Sequence, residues 1–219
     1  MSTQNRSLSE EAVQKLVQQL KQAIGSGRYL PGDWLKQIDI EENFKVNRFT
    51  VRSALSELHT SGFLQHIPYK GYRVIEHSIQ DRIAITEARE IIECAAAARV
   101  MNHIDTSGLD ELERLAQHFK SAVEEQNSEQ AMTLNLSFHR TFNLYCKNPH
   151  LNQVMDEMRE RGVGGADRGW SKKSTQLASA NDHINMVRAL REKNLVRLQA
   201  IIYTHLNRWK ESYKELIEP

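Results

Sequence analysis

Apolar positions in the first third of the chain recur at helical intervals and are cut at short range by glycine and proline. Val13, Leu16, Val17, Leu20 and Ile24 share one face of a helix that opens at Ser9-Glu10-Glu11 and is ended by Gly25 and Gly27. Tyr29-Leu30-Pro31-Gly32 reads as a turn. The pattern then predicts a short helix over residues 37–43, ending at Phe44-Lys45-Val46. Asn47 is a good N-cap for a further helix running to Ser61, with Val51, Ala54, Leu55 and Leu58 as its apolar stripe. Gly62 closes that helix. Residues 63–67 and 72–75 predict two strands around Pro68-Tyr69-Lys70-Gly71. Three helices and a hairpin, with a tight turn between the second and third helices, make a winged helix-turn-helix.

Beyond the hairpin the punctuation stops. No proline falls between Pro68 and Pro149, and the glycine after Gly71 is Gly108. Residues 81–98 place Ile83, Ile85, Ala88, Ile91, Ile92, Ala95 and Ala96 on one side of a helix. Further helices are predicted over 109–125, 128–146, 148–161, 181–191 and 195–216, the last two joined by Glu192-Lys193-Asn194. The glycine-rich stretch 161–170 is a connection or a kinked helix. No strand precedes it and no Gly-Lys-Ser/Thr follows, so it is not a phosphate loop. The expected fold is therefore mainly α. A winged helix-turn-helix with a small β-hairpin wing spans 1–76, a weakly periodic linker 77–80, and an all-helical bundle 81–219.

Composition narrows the function. The 219 residues are 40% hydrophobic and 26% charged, enough for two cores. A net charge of +1 supplies no global basic field, so DNA contact has to come from a local patch. Cys94 and Cys146 form no CxxC pair and read as reduced thiols. No apolar run approaches the roughly 20 residues of a membrane span, and the N-terminus lacks a signal-peptide core, so a cytoplasmic protein with no membrane partner is expected.

The local basic patch lies at the second helix-turn-helix element. Lys45, Arg48 and Arg52 are the only charged residues between Glu42 and Glu57, and Arg48 and Arg52 share one helical face. Asn47, Thr50 and Ser53 add small polar groups for phosphate or base. Lys70, Gly71 and Arg73 let the hairpin approach the DNA backbone or minor groove. Three isolated charges on a helix are usually a solvated face; the helix-turn before and the hairpin after favour double-stranded DNA.

Histidines mark the helical half. In an antiparallel hairpin centred on Lys193-Asn194, His183 and His205 both stand roughly 15–16 Å from the turn at 1.5 Å per residue. They are therefore level. His139, on an earlier helix, can add a third imidazole, and Asn135 stands one turn before it. Three nitrogens and an oxygen, with water, suit zinc, nickel or manganese. Taken singly, each histidine is more often a surface or satisfied core residue. Three histidines with an open position also suit a zinc hydrolase, yet there is no HExxH, and Asp182 points about 100° away from His183 on its helix. A regulator sensing the metal itself is a further alternative.

The segment from Ile24 to Val74 resembles the GntR superfamily DNA-binding domain. The resemblance rests on Ile24, Gly27, Leu30-Pro31-Gly32, Leu35, Phe44-x-Val46-Asn47-Arg48, Val51-Arg52-x-Ala54-Leu55-x-x-Leu58, Gly62-Phe63-Leu64 and Pro68-x-x-Gly71. Asn47 stands where serine is common, Phe49 replaces a small residue and Lys70 replaces arginine. Residues from Asp81 to about Lys214 are similar to the FCD effector domain of the FadR-like branch, of VanR type. That resemblance implies a homodimeric transcription regulator, usually a repressor, on a pseudo-palindromic operator. It also implies a metal held by Asp-x3-His and two later histidines about 22 apart, which is the separation of His183 and His205. The aspartate position is Asn135 here, a neutral and weaker ligand. Arg89 stands where the family's arginine implies a carboxylate effector held by a forked ion pair; a surface salt bridge to Glu93 at i+4 is the plain alternative.

Overall fold

The computed structural model describes residues 2–25, 27–162 and 172–213. The chain divides into two compact units, one ending at His77 and the other beginning at Ser78, each with its own buried apolar cluster.

The first unit contains α1 (Ser2–Gly25), β1 (Trp34–Leu35), α2 (Gln37–Phe44), α3 (Arg48–Thr60), β2 (Leu64–Ile67) and β3 (Gly71–Val74). Leu16, Leu20 and Ile24 of α1 are buried with Ile40 of α2 and Val51, Leu55 and Leu58 of α3. Each such side chain contributes about 1.5–3 kcal/mol on burial. Lys45 caps α2 in the left-handed conformation, φ 53°. Asn47 then starts α3, its side chain accepting the Thr50 amide at 2.9 Å. These two caps make the tight turn. The sheet has three strands rather than the expected two, in the order β1-β3-β2, all antiparallel, with Trp34 opposite Arg73 and His66 opposite Tyr72. A two-residue strand is too short to show alternation, so spacing alone could not reveal β1. At the hairpin tip Gly71 takes φ 100°, which glycine adopts without a Cβ penalty.

The described part of the second unit contains α4 (Ile79–His103), α5 (Thr106–Glu124), α6 (Ser128–Leu144), α7 (Pro149–Gly162), α8 (Lys173–Arg191), α9 (Leu195–Asn207) and a 3-10 stretch, Arg208–Tyr213. Helix α4 begins inside the expected linker. Ser78 and Asp81 form a reciprocal capping box, which makes Ile79 and Gln80 its first turn. Helix α8 starts at Lys173 rather than at 181. Its opening Ser174, Thr175 and Gln176 hide the apolar period, although Leu177 and Ala180 pack with Phe119, Ala122 and Ala131. Helix α9 gives way at Arg208 instead of continuing to 216. There Arg208 bonds Asp182 and Trp209 donates to Thr86 Oγ1, tying the tighter stretch to α8 and α4. The glycine-rich residues 163–170 and residues 214–216 lie outside the described residues. Ala97, Val100, Leu112, Phe138, Met155 and Leu198 are buried in the bundle's main cluster. Cys94 and Cys146 are free thiols. Among the described residues, no helix is long and apolar enough to cross a membrane.

Candidate functional site

Each unit carries a candidate site. In the first, α3 buries Val51, Ala54, Leu55 and Leu58 and turns Arg48, Phe49 and Arg52 outward. Arg48, Phe49, Arg52, Ser53, His66 and Tyr72 line a groove of about 980 Å³ between α3 and the sheet. Lys45, Asn47 and Lys70 are exposed, and Gly71 is half-buried at the hairpin. Thr50, expected to contact DNA, is instead only 3% exposed. Its hydroxyl donates to Asn47 Oδ1 at 3.1 Å, so it serves the N-cap. Nearby Arg73 donates through Nε and Nη2 to Gln65 Oε1 across the β2–β3 pair. Helix α3 thus offers two unburied guanidiniums beside its N-terminus, whose free amides favour anions.

In the second unit three helices converge on a buried polar centre. His139 of α6, His183 of α8 and His205 of α9 bring a ligand atom each to within 4.8 Å of one another. His183 and His205 do face each other across the α8–α9 hairpin, their ring centroids 5.1 Å apart. His183 Nε2 and His139 Nε2 are separated by 3.1 Å. His183 is fully buried and stacks on Phe138, 4.0 Å away at 3° between planes. His205 Nδ1 lies 3.3 Å from Asp182 Oδ2, which also accepts Arg208 Nη2 at 2.6 Å. Asp182 therefore orients His205 from outside the cluster and leaves its Nε2 available as a ligand atom. Asn135, one turn before His139 on α6, is buried, and its Oδ1 has no hydrogen-bond partner among the described residues.

Beside the imidazoles lies a buried charge triad. Arg89 Nε donates to Glu93 Oε1 at 2.8 Å, and Arg159 Nη2 donates to Glu93 Oε2 at 2.9 Å. Arg89 thus makes the i+4 pair weighed in its sequence, but as a buried contact rather than a surface one. Arg159 Nε is buried without a partner among the described residues. Two guanidiniums share the Glu93 carboxylate, and the Asp156 carboxylate also acts on Arg159. Burial works to raise Glu93, but Arg159 and Arg89 outweigh it and hold the carboxyl below its usual range. Burial draws Arg159 down to about 10, against the pull of Glu93.

All three imidazoles are held below their ordinary value. Burial is the main cause in each; Arg159 and neighbouring rings push the same way for His139 and His183, while Asp182 partly opposes it for His205. Lowered folded values mean that the unfolded chain takes up protons first. Stability is complete above the unfolded histidine value near 6.5 and falls as pH drops below it, by up to about 1.4 kcal/mol per pH unit for each histidine. Urea unfolding of metal-free protein between pH 7.5 and 5.5 is expected to show this decline, with a smaller slope in His183→Gln. A flat profile would contradict the burial of neutral imidazoles.

The neutral set suits a divalent ion. Two imidazole nitrogens binding one ion at about 2.0–2.1 Å stand about 2.9–3.4 Å apart, which brackets the 3.1 Å between His139 and His183. The unpartnered Asn135 oxygen is a fourth available donor.

Residues 12–74 match the family described as bacterial regulatory proteins, gntR family, and residues 84–208 match the FCD domain family, which covers more than half of the chain. The chain belongs to the GntR family, in its FCD-domain branch. It is similar to the uncharacterized HTH-type transcriptional regulator YdhC of Bacillus subtilis, 21% identical over 91% of this chain and 90% of that protein. It is also similar to the HTH-type transcriptional repressor RspR of Escherichia coli, 22% identical over 85% of this chain and 82% of that protein. Among solved structures, E. coli McbR/YncC shares the fold with a TM-score of 0.84 at 18% identity, covering 94% of this chain and 99% of that one. A GntR-type regulator from Rhodococcus sp. RHA1 does so at 0.75 and 19% identity, covering 94% and 97%. This GntR-family chain is a DNA-binding transcription regulator, which sets the hydrolase reading aside.

Proposed function

We propose that the chain is an effector-responsive repressor that binds a pseudo-palindromic operator as a homodimer and responds to a small carboxylate at the histidine centre. In this reading α3 enters the major groove. Arg48 and Arg52 contact guanine or phosphate, Lys45 and Asn47 contact the backbone, and Lys70 and Gly71 approach with the wing. His139, His183 and His205, with Asn135, hold zinc, nickel or manganese, which when bound would offer a Lewis-acidic position to the effector. Arg89 and Arg159 hold the effector's carboxylate. The observation carrying this reading is the buried pair of guanidiniums sharing one carboxylate beside three neutral imidazoles. Such a centre attracts an anion.

Glu93 already engages both arginines, and that favours a second reading in which the ion itself is the effector. Operator binding titrated with metal alone, and with metal plus a carboxylate panel, separates the two. A response to metal alone supports the second. Arg52→Ala is expected to weaken binding to a selected operator at least about fivefold in a fluorescence-anisotropy titration, the low end for losing one bidentate base contact. Unchanged affinity would remove α3 as the reading helix.

A further inference from the structure

Phe49 is 66% exposed on α3, a helix whose other apolar residues Val51, Ala54, Leu55 and Leu58 are fully buried. It lies between Arg48 and Arg52 on the outward face and lines the same groove with them. An exposed phenyl ring adds little to folding, so its placement is not explained by the core. Its chemistry is specific nonetheless. The ring neither donates nor accepts a conventional hydrogen bond, so it cannot read the polar edges that arginine and asparagine read. The apolar feature of a major-groove base edge is the thymine 5-methyl group. We infer that Phe49 is a specificity-determining residue that packs against a thymine methyl in each half-site.

Geometry limits where that thymine lies. Phe49 and Arg52 are three apart on one helix, so their Cβ atoms are about 5–6 Å from each other, one to two base steps at about 3.4 Å each. The thymine should therefore fall within about two base pairs of the position Arg52 contacts. Arg48 and Arg52 supply the charge that draws DNA to this face, while Phe49 supplies discrimination without charge. This inference rests on the reading of α3 as the helix that enters the groove.

The test uses the full chain. Wild type and Phe49→Ala each select duplexes from a random pool, and the enriched site is then remade with deoxyuridine replacing one thymine at a time, which removes only the methyl. Wild type is expected to lose about fourfold in affinity at one thymine per half-site, the equivalent of one buried methyl. Phe49→Ala should lose that sensitivity and tolerate other bases there, while keeping wild-type salt dependence, which reports phosphate contacts. Equal sensitivity of the two proteins, or no sensitive thymine, would overturn the inference. Enrichment of no sequence at all would overturn the α3 assignment beneath it.

Discussion

Glu93→Gln is expected to cost about 3–5 kcal/mol of folding stability, the range for removing one partner from a buried ion pair. The substitution keeps the shape of the side chain and one acceptor oxygen. It removes the carboxylate charge that both Arg89 and Arg159 bond, and these two arginines are at least nine-tenths buried. An uncompensated buried guanidinium cannot escape by losing its proton at neutral pH, so the loss appears as unfolding free energy rather than as neutralisation. Arg89→Ala should cost less, because Glu93 keeps its 2.9 Å bond to Arg159. An added anion distinguishes a charge deficit from a simple packing fault. Malonate should raise the urea midpoint of Glu93→Gln more than it raises wild type, since a ligand that binds only the folded state stabilises by mass action. Near-wild-type stability of the variant, or no selective effect of malonate, would show that the arginine pair does not govern the charge of this centre.

The centre was half legible in the sequence, for definable reasons. The levelled pair His183 and His205 follows from helix rise and a short turn, both local properties, and the rings do meet. Arg159 was missed. Its run Arg159-Glu160-Arg161 reads as solvated charge, yet Arg159 is four residues after Met155, which is 1% exposed, and itself is only 5% exposed. A charge landing on an apolar helical stripe was the available signal. Glu93 carried a similar signal, four residues after Arg89, but no local pattern tells a buried pair from an exposed one. The sequence sets Asp182 beside His183, whereas its contact is with His205, twenty-three positions on. In the first unit, the helix-turn-helix was readable because caps and breakers are local. Thr50 was misplaced because a hydroxyl that serves the N-cap has the same spacing as one that faces DNA. The two-residue β1 depends entirely on its distant partner β3.

Asn135→Asp is expected to raise the affinity for zinc, nickel or manganese at least tenfold. The donor set is neutral throughout: three imidazoles kept unprotonated by burial, and one amide oxygen that no group among the described residues engages. Two guanidiniums lie close enough to influence His139, and they oppose a dication. A carboxylate at position 135 would add one negative charge directly to the donors. At an effective dielectric near 20, a pair of unit charges at 4 Å is worth about 4 kcal/mol; desolvating the carboxylate offsets part of this, and a tenfold gain needs only about 1.4 kcal/mol. The sign reverses without metal, since desolvating the added carboxylate then has no bound ion to offset it. Thermal unfolding of metal-stripped protein, titrated with each ion, reads both effects. The variant should start below wild type and rise above it with metal, while His183→Ala should respond to none. Equal affinities for wild type and Asn135→Asp would exclude the amide oxygen as a ligand. A response by the variant alone would mean that this chain keeps the histidine geometry but, by carrying an amide at position 135, leaves the arginine pair as its recognition element for an anion.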